Sequence, residues 1–196
     1  NGAQRLPSPM ANFQGSEYPN MDQGHGMIEL DANMIFGDKP SDGGRGFFVR
    51  GDFNNMLSFA AATDAPWSQA FASKGKDCDK ASRGVTSQVF TDTPFRATLV
   101  YADYPASFNV QGKSLVNDLD IVVRGSDGTT HYPNGGTARD DTNNVESVHI
   151  ADPGDGVTYT VEVAATAVSN GPQPYAVVVS GCFWNPDVPE IASEGG

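Results

Sequence analysis

The chain between residues 95 and 182 consists of short segments in which apolar and polar residues alternate. In "FRATLVY" every second residue from Phe95 onward is apolar, and Arg96 and Thr98 lie between them. In "VTYTVEVAA" the same alternation runs from Tyr159, with threonines and a glutamate on the other positions. Side chains of successive residues in a strand point to opposite faces of the sheet. The pattern therefore predicts antiparallel strands with one face toward a core.

Further apolar segments complete a predicted sandwich. "LDIVVRG", "TTHYP", "VESVHIA" and "YAVVVSGCF" are separated by turn residues, and "GFFVRG" at 46–51 and "VTSQVF" at 85–90 precede them. The total is about eight strands. Their number and unequal connections predict a mostly β fold, an antiparallel jelly-roll or β-sandwich. We expect this sandwich at residues 85–185, with residues 37–84 as a connecting region that contains the first strands.

The two ends of the chain have different patterns. Residues 1–36 show little alternation and many turn residues, so they predict an irregular segment. Its most apolar part, 27–36, is predicted to form a short helix. The segment lacks the apolar residues for a core of its own, which indicates either the remnant of a preceding domain or a docking segment. Residues 186–196 are interpreted as a tail or linker.

Charge narrows the range of partners. Asp and Glu number 24 against 12 Lys and Arg, which gives a formal net charge of -12 at pH 7. Nucleic-acid binding requires clustered basic residues, so we expect no nucleic-acid partner. No apolar run approaches the roughly 20 residues that span a bilayer, so we expect no membrane span. The composition suits an extracellular or cell-surface protein.

The chain contains two cysteines, Cys78 and Cys182. They are too few for a zinc site of their own and do not form a C-x-x-C motif. An extracellular location favours a disulfide between them. The alternative is a pair of buried free thiols.

Two carboxylates occupy one face of a predicted strand in "LVNDLDIVV". Asp118 and Asp120 are two residues apart, so their side chains point to the same side. Like charges that are neighbours on a sheet face destabilise it. Solvent, a cation or a basic partner must therefore offset their repulsion.

Five segments together resemble a known protein family. "PFRATLVYADYPAS", "LVNDLDIVV", "DGTTHYPN", "NNVESVHI" and "GPQPYAVVVSG" occur in the order and approximate spacing of the C-terminal jelly-roll domain of some subtilisin-like serine proteases. "QGHGMIELDANMIF" resembles the closing stretch of the subtilase catalytic domain, and "NGA" resembles the end of the helix before it. The resemblance implies a β-sandwich attached to a protease.

The catalytic motifs of that family are missing. Neither a G-T-S-M-A nucleophile motif nor an H-G-T-H motif occurs in the chain, and none of the three histidines matches a catalytic position. A Ser-His-Asp mechanism needs all three groups in mutual contact. We therefore expect no catalytic residue here. Glu146 and His149 have E-x-x-H spacing, but in a strand they would point to opposite faces, so they are not expected to form a metal pair.

Calcium is the candidate cofactor. The ion takes six to eight oxygen ligands from carboxylates, amides and carbonyls, and domains of the resembled family often bind it. The predicted ligands are Asp118, Asp120, Asp103, Asp140, Asp141, Asn143, Asn144 and Glu146. A second acidic loop contains Asp38 and Asp42. In the alternative interpretation, Asn117, Asp118 and Asn144 cap turns while Asp120 accepts hydrogen bonds from the backbone or an arginine.

Three functions remain open from the sequence. The first is a non-catalytic, structural and calcium-binding C-terminal module of an extracellular subtilisin-like protease, with the catalytic domain as its partner. The second is a self-assembling subunit of an extracellular filament, in which residues 1–36 dock on another copy. A carbohydrate- or receptor-binding module, suggested only by Trp67 and Trp184, is a third.

Overall fold

The structure is a computed structural model of the whole chain. It describes residues 46–51, 57–76, 93–107 and 112–183, together with the backbone of residues 3–4, 27–28 and 184. Within these residues the regular structure is almost entirely β-strand, so the predicted fold class is confirmed.

Twelve strands are present in the described part of the chain. They are β1 Ala3–Gln4, β2 Met27–Ile28, β3 Gly46–Arg50, β4 Leu57–Phe59, β5 Trp67–Lys74, β6 Phe95–Tyr101, β7 Asn117–Gly125, β8 Thr130–His131, β9 Val145–Ile150, β10 Asp155–Val168, β11 Gln173–Gly181 and β12 Phe183–Trp184. A 3₁₀ turn, Pro133–Gly135, lies between β8 and β9.

Ten of these strands form two antiparallel sheets that face each other. The first sheet has the strand order β12-β5-β10-β7-β8. The second has the order β3-β11-β6-β9, and β4 also pairs with β11. β7 borders the two-residue edge strand β8 in the first sheet, and β9 is an edge strand of the second sheet. The two strands lie close together, and the functional candidates of the sequence are found there. The remaining strands, β1 and β2, pair with each other.

Alternation along the strands fills the space between the sheets. In β6, Phe95, Ala97, Leu99 and Tyr101 are buried, and in β10 every second residue from Tyr159 to Val163 is buried, both as predicted. The core also contains aromatic rings from both layers. Phe71 of the first sheet is fully buried, and its ring centroid lies 5.1 Å from that of Phe48 and 6.0 Å from that of Phe95, both in the second sheet. Such aromatic contacts tie the two layers together.

Strand β7 departs from simple alternation. Leu119, Ile121 and Val123 face the core, yet Asp120 and Val122 on the opposite face are each only 1% exposed. The outer face of β7 is therefore covered at this point, which is unusual for the outer face of an antiparallel sheet. What covers Asp120 is described below.

The N-terminal predictions are partly wrong. Met27–Ile28 form a strand paired with Ala3–Gln4, so the helix predicted to begin at Met27 does not begin there, and Ala3 does not end a helix. The two short strands satisfy each other's backbone hydrogen-bonding groups. An apolar run in the sequence does not show that such a partner strand exists. Residues 29–36 lie outside the described part of the chain.

The region before β6 contains a strand that the sequence did not predict, and two predicted features that fall outside the described residues. Strand β5 was not recognised from its sequence because small and polar residues dominate its outer face. Its Trp67 is not an exposed binding residue: the ring packs against the core, 6.1 Å from the ring of Phe48. The strand expected at 85–90 and the loop with Asp38 and Asp42 lie outside the described residues.

Candidate functional site: the acidic edge of the sandwich

The N-terminal half of β7 lacks a partner strand on one side, and side chains take the place of that strand. β8 pairs with β7 only at Val123 and Arg124. Nearer the start of β7, the backbone N–H of Asn117 donates to Asp103 Oδ1 at 2.9 Å, and that of Leu119 to the Tyr101 hydroxyl at 3.4 Å.

The third side chain in this row is Glu146 of β9. Its Oε2 accepts a hydrogen bond from the backbone N–H of Ile121 at 2.9 Å. Tyr101 and Glu146 belong to the second sheet and Ile121 to the first, so these contacts also join the two layers. The open edge of β7 is thus closed by side chains, which removes the unpaired N–H groups that make a sheet edge prone to association.

Glu146 is completely buried, and only one of its two carboxyl oxygens has a hydrogen-bond partner. Its side chain has 0% exposure, and Oε1 has no hydrogen-bond partner. Burial raises the pKa of this carboxyl to about 9, and the charges of Asp120, Asp140 and Asp118 act in the same direction, whereas the Ile121 N–H opposes them. Glu146 is accordingly protonated at neutral pH. Asp118, Asp120, Asp140 and Glu146 are called the acidic cluster below.

An arginine supplies the counter-charge for Asp120. Arg139 Nη1 lies 3.3 Å from Asp120 Oδ2, and Nη2 lies 3.7 Å from Glu162 Oε1. The Thr166 hydroxyl also donates to Asp120 Oδ2. The connection that contains Arg139 therefore lies over the outer face of β7 and explains why Asp120 is buried. The alternative interpretation gave Asp120 an arginine partner; in the structure that partner forms an ion pair, and the hydrogen bond comes from Thr166.

Asp118 has fewer compensating contacts than Asp120. It is half-buried, and its Oδ1 is buried without a hydrogen-bond partner. Burial, followed by the charge of Asp120, raises the pKa of Asp118, while Lys113 opposes the shift. The repulsion expected between Asp118 and Asp120 is therefore present and is only partly compensated.

Asp140 organises the connection before β9. Its two oxygens accept hydrogen bonds from the backbone N–H groups of Thr142 and Asn143 and from the side-chain amides of Asn134 and Asn143, at 2.7 to 3.1 Å. Burial alone would raise its pKa, but these hydrogen bonds outweigh burial and lower the pKa. Asp140 thus acts as a turn-forming residue.

Asn134 closes a second edge, that of β9. Its Oδ1 accepts from the backbone N–H of Ser147 at 3.0 Å, and its Nδ2 donates to the carbonyl of Val145 at 3.2 Å. The side-chain amide thus imitates the backbone of a paired strand. Asn134 adopts a left-handed conformation with φ of 55°, which asparagine tolerates better than most residues.

The other predicted ligands have structural partners. Asp141 pairs with Lys113 Nζ, and Asn144 Nδ2 donates to the Tyr101 carbonyl at 2.9 Å. Asp103 also accepts from the N–H of Val116 at 2.7 Å. Most of the oxygens and amides of these residues therefore serve the fold.

Calcium coordination by this set is incomplete. Among the described residues, no three Asp, Glu, His or Cys side chains form a group that could hold a metal ion. Two buried carboxyl oxygens in the acidic cluster, Asp118 Oδ1 and Glu146 Oε1, nevertheless lack a hydrogen-bond partner. A cation bound there would need backbone carbonyls or water as its further ligands. The calcium site stays a prediction.

Several residues of this edge were not anticipated. Asn134 and Arg139 lie in the connection between β8 and β9, Thr166 lies in β10 and Gln173 begins β11, and none of the four belongs to a motif. Buried Gln173, for example, accepts a hydrogen bond from Asn117 Nδ2 at 2.7 Å through Oε1. Arg139 was the most accessible of the four to sequence reasoning, because it stands directly before Asp140 and Asp141 in an otherwise acidic segment.

The described histidines are His131 and His149. In β9 Glu146 is buried and His149 is exposed, so the two side chains lie on opposite faces of the strand. His131 Nε2 lies 3.2 Å from Thr129 Oγ1 and its ring packs against that of Tyr159. Burial lowers the pKa of His131.

Of the two cysteines in the predicted disulfide, Cys182 lies in the described part of the chain. Cys182 is buried between β11 and β12. Cys78 lies outside the described residues, so the pairing stays a prediction. Among the described residues, no helix is both long and apolar enough to cross a membrane.

Comparison with known proteins shows a partial sequence similarity. No family profile matches the chain. Over 96 residues, 43% of this chain, the sequence is 36% identical to the Serine protease/ABC transporter B family protein tagB of Dictyostelium discoideum. The match spans 5% of the length of that relative. The chain is therefore similar to a small part of a much longer protein whose name includes a serine protease.

Proposed function

We propose that this chain is a non-catalytic C-terminal β-sandwich module of an extracellular subtilisin-like serine protease. The observation that carries the proposal is the similarity to the Dictyostelium protein named as a serine protease. The β-sandwich and the five segments that resemble a subtilase C-terminal domain support it. The module's role is structural, because neither the nucleophile motif nor the histidine motif of such proteases occurs in the chain.

Calcium binding at the acidic cluster is a second part of this proposal. Asp118 Oδ1 and Glu146 Oε1 support it, because buried carboxyl oxygens without a hydrogen-bond partner are costly and a cation would relieve that cost, displacing the proton that Glu146 holds at neutral pH. A bound ion would also neutralise the repulsion between Asp118 and Asp120. Arg139 already neutralises part of this repulsion. The ion would therefore add stability to an edge that folds without it.

The proposal is tested on the gene product. The coding sequence on the N-terminal side of Asn1 is determined, and the chain alone and the complete product are assayed for hydrolysis of an unstructured protein such as casein. We expect an upstream serine protease domain, activity of the complete product, and no activity of the isolated chain. A coding sequence without a protease domain would overturn the proposal and would favour the self-assembling filament subunit.

A further inference from the structure

Asparagine is followed directly by glycine at two places in the described part of the chain. One pair is Asn134-Gly135, in the connection before β9, and the other is Asn170-Gly171, in the connection between β10 and β11. In such a pair the backbone nitrogen of glycine can attack the side-chain amide carbon of asparagine, because glycine has no side chain to hinder the approach. The reacting groups belong to adjacent residues, so the reaction needs only a conformation that brings them together.

Three hydrogen bonds hold the side-chain amide of Asn134. Its Oδ1 accepts from the backbone N–H of Ser147 at 3.0 Å, and its Nδ2 donates to the Val145 carbonyl at 3.2 Å and to Asp140 Oδ2 at 2.7 Å. Attack by the nitrogen of Gly135 requires this amide to rotate and to lose these bonds. The fold therefore protects Asn134, although its sequence is reactive.

Asn170 has the opposite arrangement. Its side chain is exposed, and no described residue forms a hydrogen bond with its amide. Its backbone is held instead: the N–H donates to Asn117 Oδ1 at 3.0 Å, and the carbonyl accepts from Asn117 Nδ2 at 2.7 Å. The side-chain amide of Asn170 can therefore turn toward Gly171 without losing a hydrogen bond to any described residue.

Packing explains why glycine follows Asn170. A Cβ atom at position 171 would lie 2.8 Å from the carbonyl oxygen of Ala60 and 3.0 Å from Cγ1 of Val168. These distances are too short for ordinary contacts, so a side chain at position 171 would force the backbone to shift. The close approach of Ala60 thus requires the glycine that makes Asn170 reactive.

We propose that Asn170 is a site of spontaneous deamidation. The nitrogen of Gly171 forms a bond to Cγ of Asn170, Nδ2 leaves as ammonia with the proton of the Gly171 N–H, and a cyclic succinimide results. Water then opens the ring at one of its two carbonyl carbons. The product is either aspartate or isoaspartate, in which the main chain runs through the side-chain carbons. Both products add one negative charge to a chain whose net charge is -12.

The isoaspartate product should loosen the start of β7. Its main chain is one carbon longer and the former carbonyl of residue 170 becomes a carboxylate, so the two hydrogen bonds with Asn117 cannot both keep their geometry. Asn117 begins β7, is 0% exposed, and also donates from Nδ2 to Gln173 Oε1 at 2.7 Å. A buried amide that loses its partners destabilises the folded state.

Peptide mapping by mass spectrometry tests the site. The folded chain is incubated in warm, mildly alkaline buffer made with H₂¹⁸O, and incorporation of ¹⁸O at residues 170 and 134 is followed over time. A parallel sample is unfolded in guanidinium chloride, which releases both side chains. We expect Asn170 to react several times faster than Asn134 in the folded chain, and this difference to shrink markedly in the unfolded chain. An equal or higher rate at Asn134 in the folded chain, or an unchanged ratio on unfolding, would overturn the proposal.

Two substitutions separate the reaction from its charge. Asn170→Ala removes the reactive amide and keeps the backbone bonds to Asn117, so its unfolding midpoint should not change during the incubation. Fresh Asn170→Asp carries the added charge on an ordinary main chain and should unfold at a higher denaturant concentration than the aged original chain. An original chain that has reacted at residue 170 and keeps its initial midpoint would contradict the loosening of β7.

Discussion

Arg139 shows how one side chain determines the state of its neighbour. Asp120 is 1% exposed, and burying an unpaired charge is costly, but the guanidinium of Arg139 lies 3.3 Å away. Removing one member of a buried ion pair leaves an uncompensated charge. At the residue scale, Arg139 is therefore the residue most sensitive to substitution in the acidic edge.

We expect Arg139→Gln to lower the free energy of unfolding by about 2 to 3 kcal/mol, less than the ~3 to 5 kcal/mol of a fully buried pair because Arg139 is partly exposed. Urea unfolding followed by fluorescence measures the change. Arg124→Gln is the control, because Arg124 lies 4.0 Å from Glu162 at the surface, where such pairs contribute about 0 to 1 kcal/mol. Equal effects of the two substitutions would contradict a structural role for Arg139.

Glu146 makes stability depend on pH. Its pKa in the folded protein, about 9, lies above the ordinary value of 4.5, so the folded state holds the proton more tightly than the unfolded state. The free energy of unfolding should therefore fall as pH rises from about 4.5 to about 9. Below about pH 4.5 Glu146 is protonated in both the folded and the unfolded state, so its stabilising contribution is fully present and no longer changes with pH.

Glu146→Gln should reduce this dependence. Glutamine keeps an acceptor for the Ile121 N–H but carries no charge at any pH. In the presence of chelator, we expect the variant to lose less stability than the original chain between pH 5 and pH 9. Chemical unfolding at several pH values measures the difference. Parallel pH profiles would show that Glu146 does not titrate in this range.

At the scale of elements, side chains form hydrogen bonds with the backbone groups at strand edges that lack a partner strand. Asn134 caps β9, and Asp103, Tyr101 and Glu146 cap β7. Exposed edges promote association between molecules. The alternation within a strand determines its faces but does not determine how its edge is closed.

Asn134→Gly tests edge capping by a side chain. Glycine accepts the left-handed conformation of this position but removes the amide that bonds Ser147, Val145 and Asp140. We expect a loss of about 1 to 3 kcal/mol and increased self-association, measured by chemical unfolding and light scattering. Unchanged stability and a monomeric variant would mean that water satisfies the edge equally well.

At the scale of the whole molecule, calcium should stabilise the folded chain. A ligand that binds only the folded state at 100 times its dissociation constant adds about 2.7 kcal/mol. We expect calcium to raise the melting temperature, chelator to reverse the gain, and Asp118→Asn with Glu146→Gln to abolish it. A full calcium response in that double variant would place the site elsewhere, with the loop of Asp38 and Asp42 as the next candidate. No response in the original chain would exclude a stabilising calcium site.

A disulfide between Cys78 and Cys182 should also act on the whole molecule. It would close a loop of roughly 100 residues and, in the chain-entropy model, stabilise the fold by up to about 4.7 kcal/mol. We expect one linked peptide pair in non-reducing peptide mapping. Two separate peptides with alkylatable thiols would contradict the prediction.

The sequence by itself determined the faces of the strands. Alternation assigned the inward residues of β6 and β10 correctly because the two-residue period of a strand is local to the chain. It also placed Asp118 and Asp120 on one face and indicated that their repulsion must be offset. The weakly alternating β5 and the paired strands β1 and β2 were beyond this reasoning, since their partners lie far away in the sequence.

Only the tertiary structure decided how that repulsion is offset. The choice among solvent, a cation and a basic residue depended on which distant segment lies over β7. The connection before β9 places Arg139 on Asp120, while Glu146 comes from the other sheet to bond Ile121. Periodicity fixes the direction of a side chain but not what it meets, because contacts between elements depend on the packing of both sheets.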